Sequence, residues 1–216
     1  MKIKRIMLFA LAVLPLIVSV IALLFLPEQI PVHFGTNFAV DRYGSKFEIL
    51  ILPIEIIFMS LIFLLPGIFI QEENNKKMLL NLGVALTLVF NALDYYILYI
   101  QSTDMQSLKT GVFSFERILL LIFGMFFIYI GNFMPMLRKN SFFGLRTKWS
   151  MENDTIWKKC QLFGGVSMMI LGVIYFITAF VFPNIILMLS LLICVVVVDT
   201  VYTYIAFKKY SNAENQ

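Results

Sequence analysis

Apolar residues fill this chain in long runs that lack the alternation of strands or the one-sided stripes of water-soluble helices. Six runs have about 20 residues, the length that an α-helix needs to cross a hydrocarbon core about 30 Å thick. They occupy residues 6–26, 49–70, 79–100, 114–134, 161–182 and 185–206. The pattern predicts an all-α fold, a polytopic membrane bundle of about six transmembrane helices.

The first run follows a basic start at Lys2, Lys4 and Arg5, as a signal peptide would. It is longer than a signal-peptide core and ends in Leu26-Pro27-Glu28, without a small-residue cleavage site. We therefore expect an uncleaved first helix. Pro15 is expected to kink it.

Composition supports the same conclusion. Apolar residues make up 60% of the 216-residue chain, and charged residues make up 14%. Soluble domains have roughly 45–50% apolar residues and about 25% charged residues. A soluble protein of this size must cover its surface with polar groups, so the excess cannot be hidden in one core. A bilayer removes the conflict.

The distribution of Lys and Arg predicts the orientation, because cytoplasmic loops are enriched in both. Of 17 such residues, four fall on one side of the predicted spans, namely Arg42, Lys46, Lys109 and Arg117, and the other 13 fall on the opposite side with both termini. We expect both termini inside the cell. The same bias explains the net charge of +4, so direct nucleic-acid binding is not expected.

The chain divides into three predicted regions, 1–70, 71–113 and 114–216. Two loops, residues 27–48 outside and 135–160 inside, exceed the two to eight residues that usually connect packed helices. Function is often carried by such loops. Pro27 and Pro31 are expected to keep the first loop extended, with turns at Gly35, Asn37 and Gly44.

Both loops carry motifs that resemble a known family. The first loop resembles a small domain of unknown function, DUF1648, through Leu26, Pro27, Ile30, Pro31, His33, Phe34, Asp41, Ser45 and Lys46. The second resembles the signature of the SdpI family through Gly131, Asn132, Pro135, Asn140, Gly144, Leu145, Arg146, Thr147, Trp149 and Trp157. The chain departs from the family pattern at Phe38, at Lys148 and at Cys160-Gln161.

The resemblance implies an immunity protein in the bacterial plasma membrane that gives resistance to a secreted peptide toxin. It also implies a possible partner, a cytosolic winged-helix repressor held at the membrane. Candidate toxin residues in the first loop are Pro31, His33, Phe34, Asp41, Arg42 and Lys46. Candidate signalling residues in the second are Asn132, Pro135, Asn140, Gly144, Arg146, Thr147, Trp149 and Trp157.

His33 is the only histidine, and a metal site needs three or four suitable ligands. Asp41 with Glu28 and Glu48 makes a poor set, so neither metal nor cofactor is expected. We expect His33 to order its loop by hydrogen bonding to Asp41, with pH sensing as an alternative.

Ionisable residues within the spans indicate a polar cluster in the outer half of the membrane. Glu55, Asn91, Asp94 and Arg117 lie at compatible depths, and buried charges in membranes are usually paired. Arg117 is expected to pair with Asp94 or Glu55. The pair could serve packing, ligand recognition or proton coupling. Asp199 lies in the inner half and cannot join it.

Other signals have simple structural explanations. Trp149 and Trp157 would anchor the chain at the lipid interface, and the basic residues around them would contact headgroups. Gly164, Gly165 and Gly172 predict close helix packing. Cys160 is expected to be a reduced thiol in the inner loop and Cys194 a thiol buried in lipid.

No nucleophile with an adjacent base and no Gly-rich phosphate loop is found, so an enzyme is not expected. The alternative function is a proton-coupled transporter or exporter that uses Glu55, Asp94 and Asp199. No span after the first is interrupted by Pro or Gly in the manner of many transporter sites. A third option is a bundle that only stabilises the envelope.

Overall fold

The computed structural model describes residues 2–34, 39–65, 73–102, 114–140 and 143–211. Its long helices are α1 (Lys2–Ala22), α2 (Ile51–Leu64), α3 (Glu73–Ser102), α4 (Phe115–Phe133), α5 (Asp154–Val181) and α6 (Ile185–Tyr210). Two strands, β1 (Gln29–Phe34) and β2 (Val40–Ser45), lie between α1 and α2. Short 3-10 helices cover Lys46–Leu50 and Met134–Met136.

These six helices are long and apolar enough to cross a membrane, when α2 and α4 are each taken together with the adjoining 3-10 helix. Large apolar side chains point outward from several of them: Phe9, Phe58, Phe180 and Ile193 are each 62–67% exposed. Such surface is unfavourable in water but matches lipid. The predicted all-α polytopic membrane bundle is confirmed.

The chain forms two compact units. The first contains residues 1–71 and 79–118, and the second contains residues 72–78 and 119–216.

Polar side chains join the helices of the first unit. The hydroxyls of Ser60 on α2 and Thr87 on α3 lie 3.1 Å apart, and both residues are buried. Asn91 on α3 donates to the backbone carbonyl of Leu11 on α1 at 3.1 Å. These contacts satisfy polar groups that lipid would leave without partners, so they hold the three helices together.

The first loop contains a β-hairpin, which the sequence pattern did not predict. β1 and β2 pair antiparallel from Gln29 opposite Ser45 to Phe34 opposite Val40, with irregular register around His33. The polar-apolar alternation typical of strands is weak here because Pro31 and His33 interrupt it. A capping box between Ser45 and Glu48 then starts the 3-10 helix that leads into α2.

In the second unit, α4 and α5 approach each other closely at glycines. A Cβ on Gly165 of α5 would lie 2.6 Å from the carbonyl oxygen of Gly131 on α4, and one on Gly172 would lie 2.6 Å from that of Gly124. Only glycine permits backbones to approach so closely. The expected close packing at Gly165 and Gly172 is confirmed.

The fifth helix begins earlier than the apolar run indicated. The side chain of Asn153 accepts a hydrogen bond from the amide of Ile156 at 2.8 Å and caps α5 at Asp154. The assignment of residues 154–160 to the loop is therefore wrong. Cys160 is a buried helical residue that packs with Ile156 and Ala206, not a loop thiol.

Candidate functional site

Three contacts between polar side chains hold the hairpin of the first loop. His33 Nδ1 lies 2.5 Å from Asp41 Oδ1, which confirms the hydrogen bond expected between them. Arg42 Nη2 donates to Glu48 Oε2 at 3.0 Å. A third pair joins Lys46 Nζ to Glu28 Oε1 at 2.8 Å across the base of the hairpin. Four of the six toxin candidates thus take part in these pairs.

The other two toxin candidates connect the hairpin to α3. The carbonyl of Pro31 accepts a hydrogen bond from Gln101 Nε2 at 2.7 Å. Phe34 packs against buried Tyr96 and Ile100 of α3. The hairpin is therefore fixed to the bundle by β1, while β2 carries exposed charges.

A cavity of about 470 Å³ lies where the hairpin meets the helices of the first unit. Its wall is mostly apolar and comes from β1, the start of α2, the last turns of α3 and the first turn of α4. Polar groups enter it from His33, Arg42, Glu48, Asp94 and Gln101. Apolar walls with a few converging polar groups are typical of ligand sites.

Asp94 is the most buried of the polar residues that line this cavity. It is eight residues before the last residue of α3, which is about 12 Å along the helix. Its side chain is 1% exposed, and neither carboxylate oxygen accepts a hydrogen bond in the described parts of the chain. The hydroxyl of Ser19 on α1 faces this carboxylate, but the contact falls outside hydrogen-bond geometry, and that hydroxyl has no other partner in the described parts of the chain.

The remaining members of the predicted polar cluster lie in different environments. Asn91 is buried and donates to Leu11 and Thr87 carbonyls. Glu55 is exposed on α2, and Arg117 is half-buried in the first turn of α4. The oxygens of Asp94 accept no hydrogen bond among described residues, so the alternative in which Arg117 pairs with Asp94 is not seen. The alternative in which Arg117 pairs with Glu55 stays a prediction.

The second loop is a folded turn built by side chains. Asn140 accepts from the amide of Phe143 at 2.9 Å and donates to its carbonyl at 3.2 Å. Gly144 has a backbone φ of +103°, a conformation that residues other than glycine rarely adopt. Gln161 of α5 then accepts from the amide of Leu145 at 3.0 Å and donates to its carbonyl at 3.2 Å.

Hydroxyl groups continue this network toward α6. Thr147 donates to the hydroxyl of Thr203 on α6 at 2.9 Å. Ser150 donates to the Leu145 carbonyl at 2.6 Å and accepts from the amide of Thr147 at 2.8 Å. The loop is therefore held against two helices of its unit.

The two tryptophans differ, and one prediction about them is wrong. Trp157 is 1% exposed, and its ring nitrogen donates to the Leu137 carbonyl at 2.8 Å. It cannot be a lipid-interface anchor because α5 begins before it and turns it into the core. Trp149 is half-buried with its ring 5.0 Å from that of Tyr204.

The rest of the signalling candidates lie around this turn. Asn132 and Arg146 are exposed, and Pro135 is half-buried beside Gly165. Exposed basic residues surround them: Arg138, Lys139, Lys148, Lys158, Lys159, Lys208 and Lys209. This surface presents positive charge while the turn beneath it is rigid.

Sequence reasoning missed the glutamines that join the loops to the helices. Gln101 binds the first loop and Gln161 the second. The signal was present in the polarity of Gln101 at the end of an apolar run, and in the place of Gln161 next to the signature. A glutamine alone does not indicate such a contact, because its hydrogen-bond partner is known only from the three-dimensional structure.

Comparisons with known proteins agree with both motifs. Residues 10–57 match the family model of the domain of unknown function DUF1648, and residues 136–203 match that of the SdpI/YfhL protein family. The immunity protein SdpI of Bacillus subtilis (strain 168) is 27% identical over 212 residues, 97% of this chain and 99% of that protein. No solved structure matches significantly. The resemblance to the SdpI family is confirmed for this multi-pass membrane protein.

Proposed function

We propose that this chain, with its DUF1648 and SdpI regions, is a non-enzymatic immunity protein of the bacterial plasma membrane that protects against a secreted peptide toxin. The observation that carries the proposal is the similarity to an immunity protein along 97% of the chain. The cavity beneath the hairpin supports it, because it offers a place where an extracellular ligand could bind.

The orientation of the chain gives the two loops separate roles in this proposal. The distribution of basic residues favours the hairpin outside and the second loop inside. Toxin would meet the hairpin, where Arg42 and His33 border the cavity. Contact there would prevent the toxin from damaging the membrane.

Deletion of the gene from its own host tests the proposal. Deleted cells should stop growing in medium conditioned by the parent strain, and re-expression of the chain should restore growth. Restoration should fail with His33→Ala, because the ring both orders the hairpin and lines the cavity. Arg146→Ala is the matched control, since it changes one exposed residue of the second unit. Growth of the deleted strain at the parental rate would refute the immunity function.

The second loop is proposed as the surface that recruits a cytosolic repressor once toxin is bound. Its exposed basic residues over a hydrogen-bonded turn give a partner a fixed surface of positive charge. Such signalling requires two states of the bundle whose balance the toxin shifts. Cells with Arg146→Ala should keep immunity but lose toxin-dependent induction of the genes that the repressor controls, measured by a transcriptional reporter.

The second candidate function is a proton-coupled transporter, which the buried carboxylates of Asp94 and Asp199 favour. Asp199 accepts a hydrogen bond from Ser167 at 2.7 Å, and Asp94 lines the cavity. Proton flux in vesicles that contain the purified protein separates the candidates. Toxin-independent flux that disappears with Asp94→Asn would favour transport over immunity.

A further inference from the structure

The cavity of the first unit has more capacity to accept hydrogen bonds than its own residues fulfil. Both oxygens of Asp94 and the Oε1 atom of Gln101 are buried without a hydrogen-bond partner among the described residues. Both residues line the cavity. A buried polar group without a partner is costly, and a buried carboxylate is more so.

Asp199, also a buried aspartate, shows that this fold can give a buried carboxylate a hydrogen-bond partner. Asp199 is as deeply buried as Asp94, at 1% exposure, but it accepts a short hydrogen bond from Ser167. Burial in an apolar helix therefore does not by itself explain the open acceptors of Asp94. Even if the nearby Ser19 hydroxyl turned toward one oxygen, the other oxygen would stay open, and a group from outside the chain would explain it.

The cations of the hairpin are engaged elsewhere. Arg42, which lines the cavity, is paired with Glu48, and Lys46 is paired with Glu28. His33, also at the cavity, is paired with Asp41. Asp94 is thus the one ionisable side chain of the described cavity lining that has no ion-pair partner.

We propose that this cavity receives a cationic nitrogen donor on an apolar stem, presented by the peptide toxin, with Asp94 as its counter-ion. The inference rests on the proposed immunity function and names the chemistry of its ligand. The donor would bond to Asp94, and the stem would contact the apolar wall. A lysine side chain and the amino terminus of an apolar peptide both have this chemistry.

The dimensions suit such a group. The volume of about 470 Å³ lies in the range of sites for small ligands, so one side chain with part of its neighbours fits. Short polar cations would lose the apolar contacts.

Three tripeptides test the chemistry on the purified full-length protein in nanodiscs. The first is acetylated and amidated leucine-lysine-leucine, and the second is leucine-norleucine-leucine amide with a free amino terminus. The third is the same norleucine peptide with its amino terminus acetylated, so it has no charge. Affinity is measured by the shift of the thermal unfolding midpoint with peptide concentration.

We expect one or both charged peptides to bind at least tenfold more tightly than the neutral one, and the stronger of them identifies the source of the cation. Asp94→Asn should remove that preference, whereas Asp199→Asn, the matched buried aspartate, should retain it. Equal binding of all three peptides to the wild-type protein, or no binding, would overturn the proposal whether or not a variant folds. Retention of the preference by folded Asp94→Asn would do so as well.

Failure of this inference is distinguishable from failure of the proposed function. If the host deletion produces toxin sensitivity while the charged peptides show no preference, the chain is an immunity protein and the ligand chemistry is wrong. If the deletion has no effect on growth, immunity is wrong regardless of the binding result.

Discussion

The two loops of this protein are stabilised in opposite ways. In the first, β1 packs on α3, but β2 is held by side-chain pairs at the surface, such as His33 and Asp41, whose side chains are 63% and 48% exposed. The turn of the second is held by groups that are almost fully buried, among them Trp157 at 1% and Gln161 at 0% exposure. Surface pairs contribute little free energy, whereas loss of a buried partner is costly.

This difference indicates how the loops divide their tasks. A segment held by weak exposed contacts opens locally at low cost, as ligand-binding segments often do. A segment held by buried hydrogen bonds keeps one conformation and can present a fixed surface. We therefore expect changes in the hairpin to alter protection, and changes in the turn to alter the stability of the protein.

The largest effect is expected from Trp157→Ala. This change removes a buried indole, its hydrogen bond to Leu137 and its packing against Met78 and Met134. Removal of a buried aromatic side chain typically costs about 3–5 kcal/mol. The measurement is the free energy of unfolding in mixed micelles with increasing denaturing detergent.

Trp149→Ala is the control for this change, because Trp149 is half-buried and lies in the same loop. Its loss should be clearly smaller. Equal losses for the two variants would show that burial does not set the stability of the second loop.

A smaller loss is expected from Gly144→Ala. The φ of +103° is strained for alanine, and the new Cβ would lie 2.6 Å from Gln161 Oε1, which binds the amide of Leu145. Strain of this kind costs on the order of 1–3 kcal/mol. Asn132→Ala, at an exposed position, should leave the unfolding free energy unchanged. A Gly144 variant as stable as the wild type would contradict the fixed turn.

The sequence predicted the membrane helices well because their signal is length and polarity, which the bilayer imposes on each helix separately. The close approach of Gly165 and Gly172 to a neighbouring helix was also predictable, since small residues have few other uses in such helices. The pair of His33 with Asp41 was predictable because both belong to one short loop.

Contacts between distant segments were not predictable. Gln101 and Pro31 lie 70 residues apart and Thr147 and Thr203 lie 56 apart, so no local pattern relates them. The position of Trp157 was misjudged because Asn153 starts α5 in a polar stretch that hydropathy assigns to a loop. The lack of a hydrogen-bond partner for Asp94 among described residues can be seen only once the surrounding side chains are placed.

The smallest effect on stability is expected from Glu28→Gln, which removes the charge that Lys46 contacts at 2.8 Å. Lys46 is 18% exposed but Glu28 is 85% exposed, and pairs whose carboxylate is open to solvent contribute about 1 kcal/mol or less. The loss should shrink further in high salt, because ions screen exposed charges. Neither residue lines the cavity, so protection should be retained. A loss comparable to that of Trp157→Ala would mean that the hairpin is as rigidly held as the turn, and the proposed contrast between a yielding first loop and a fixed second loop would fail.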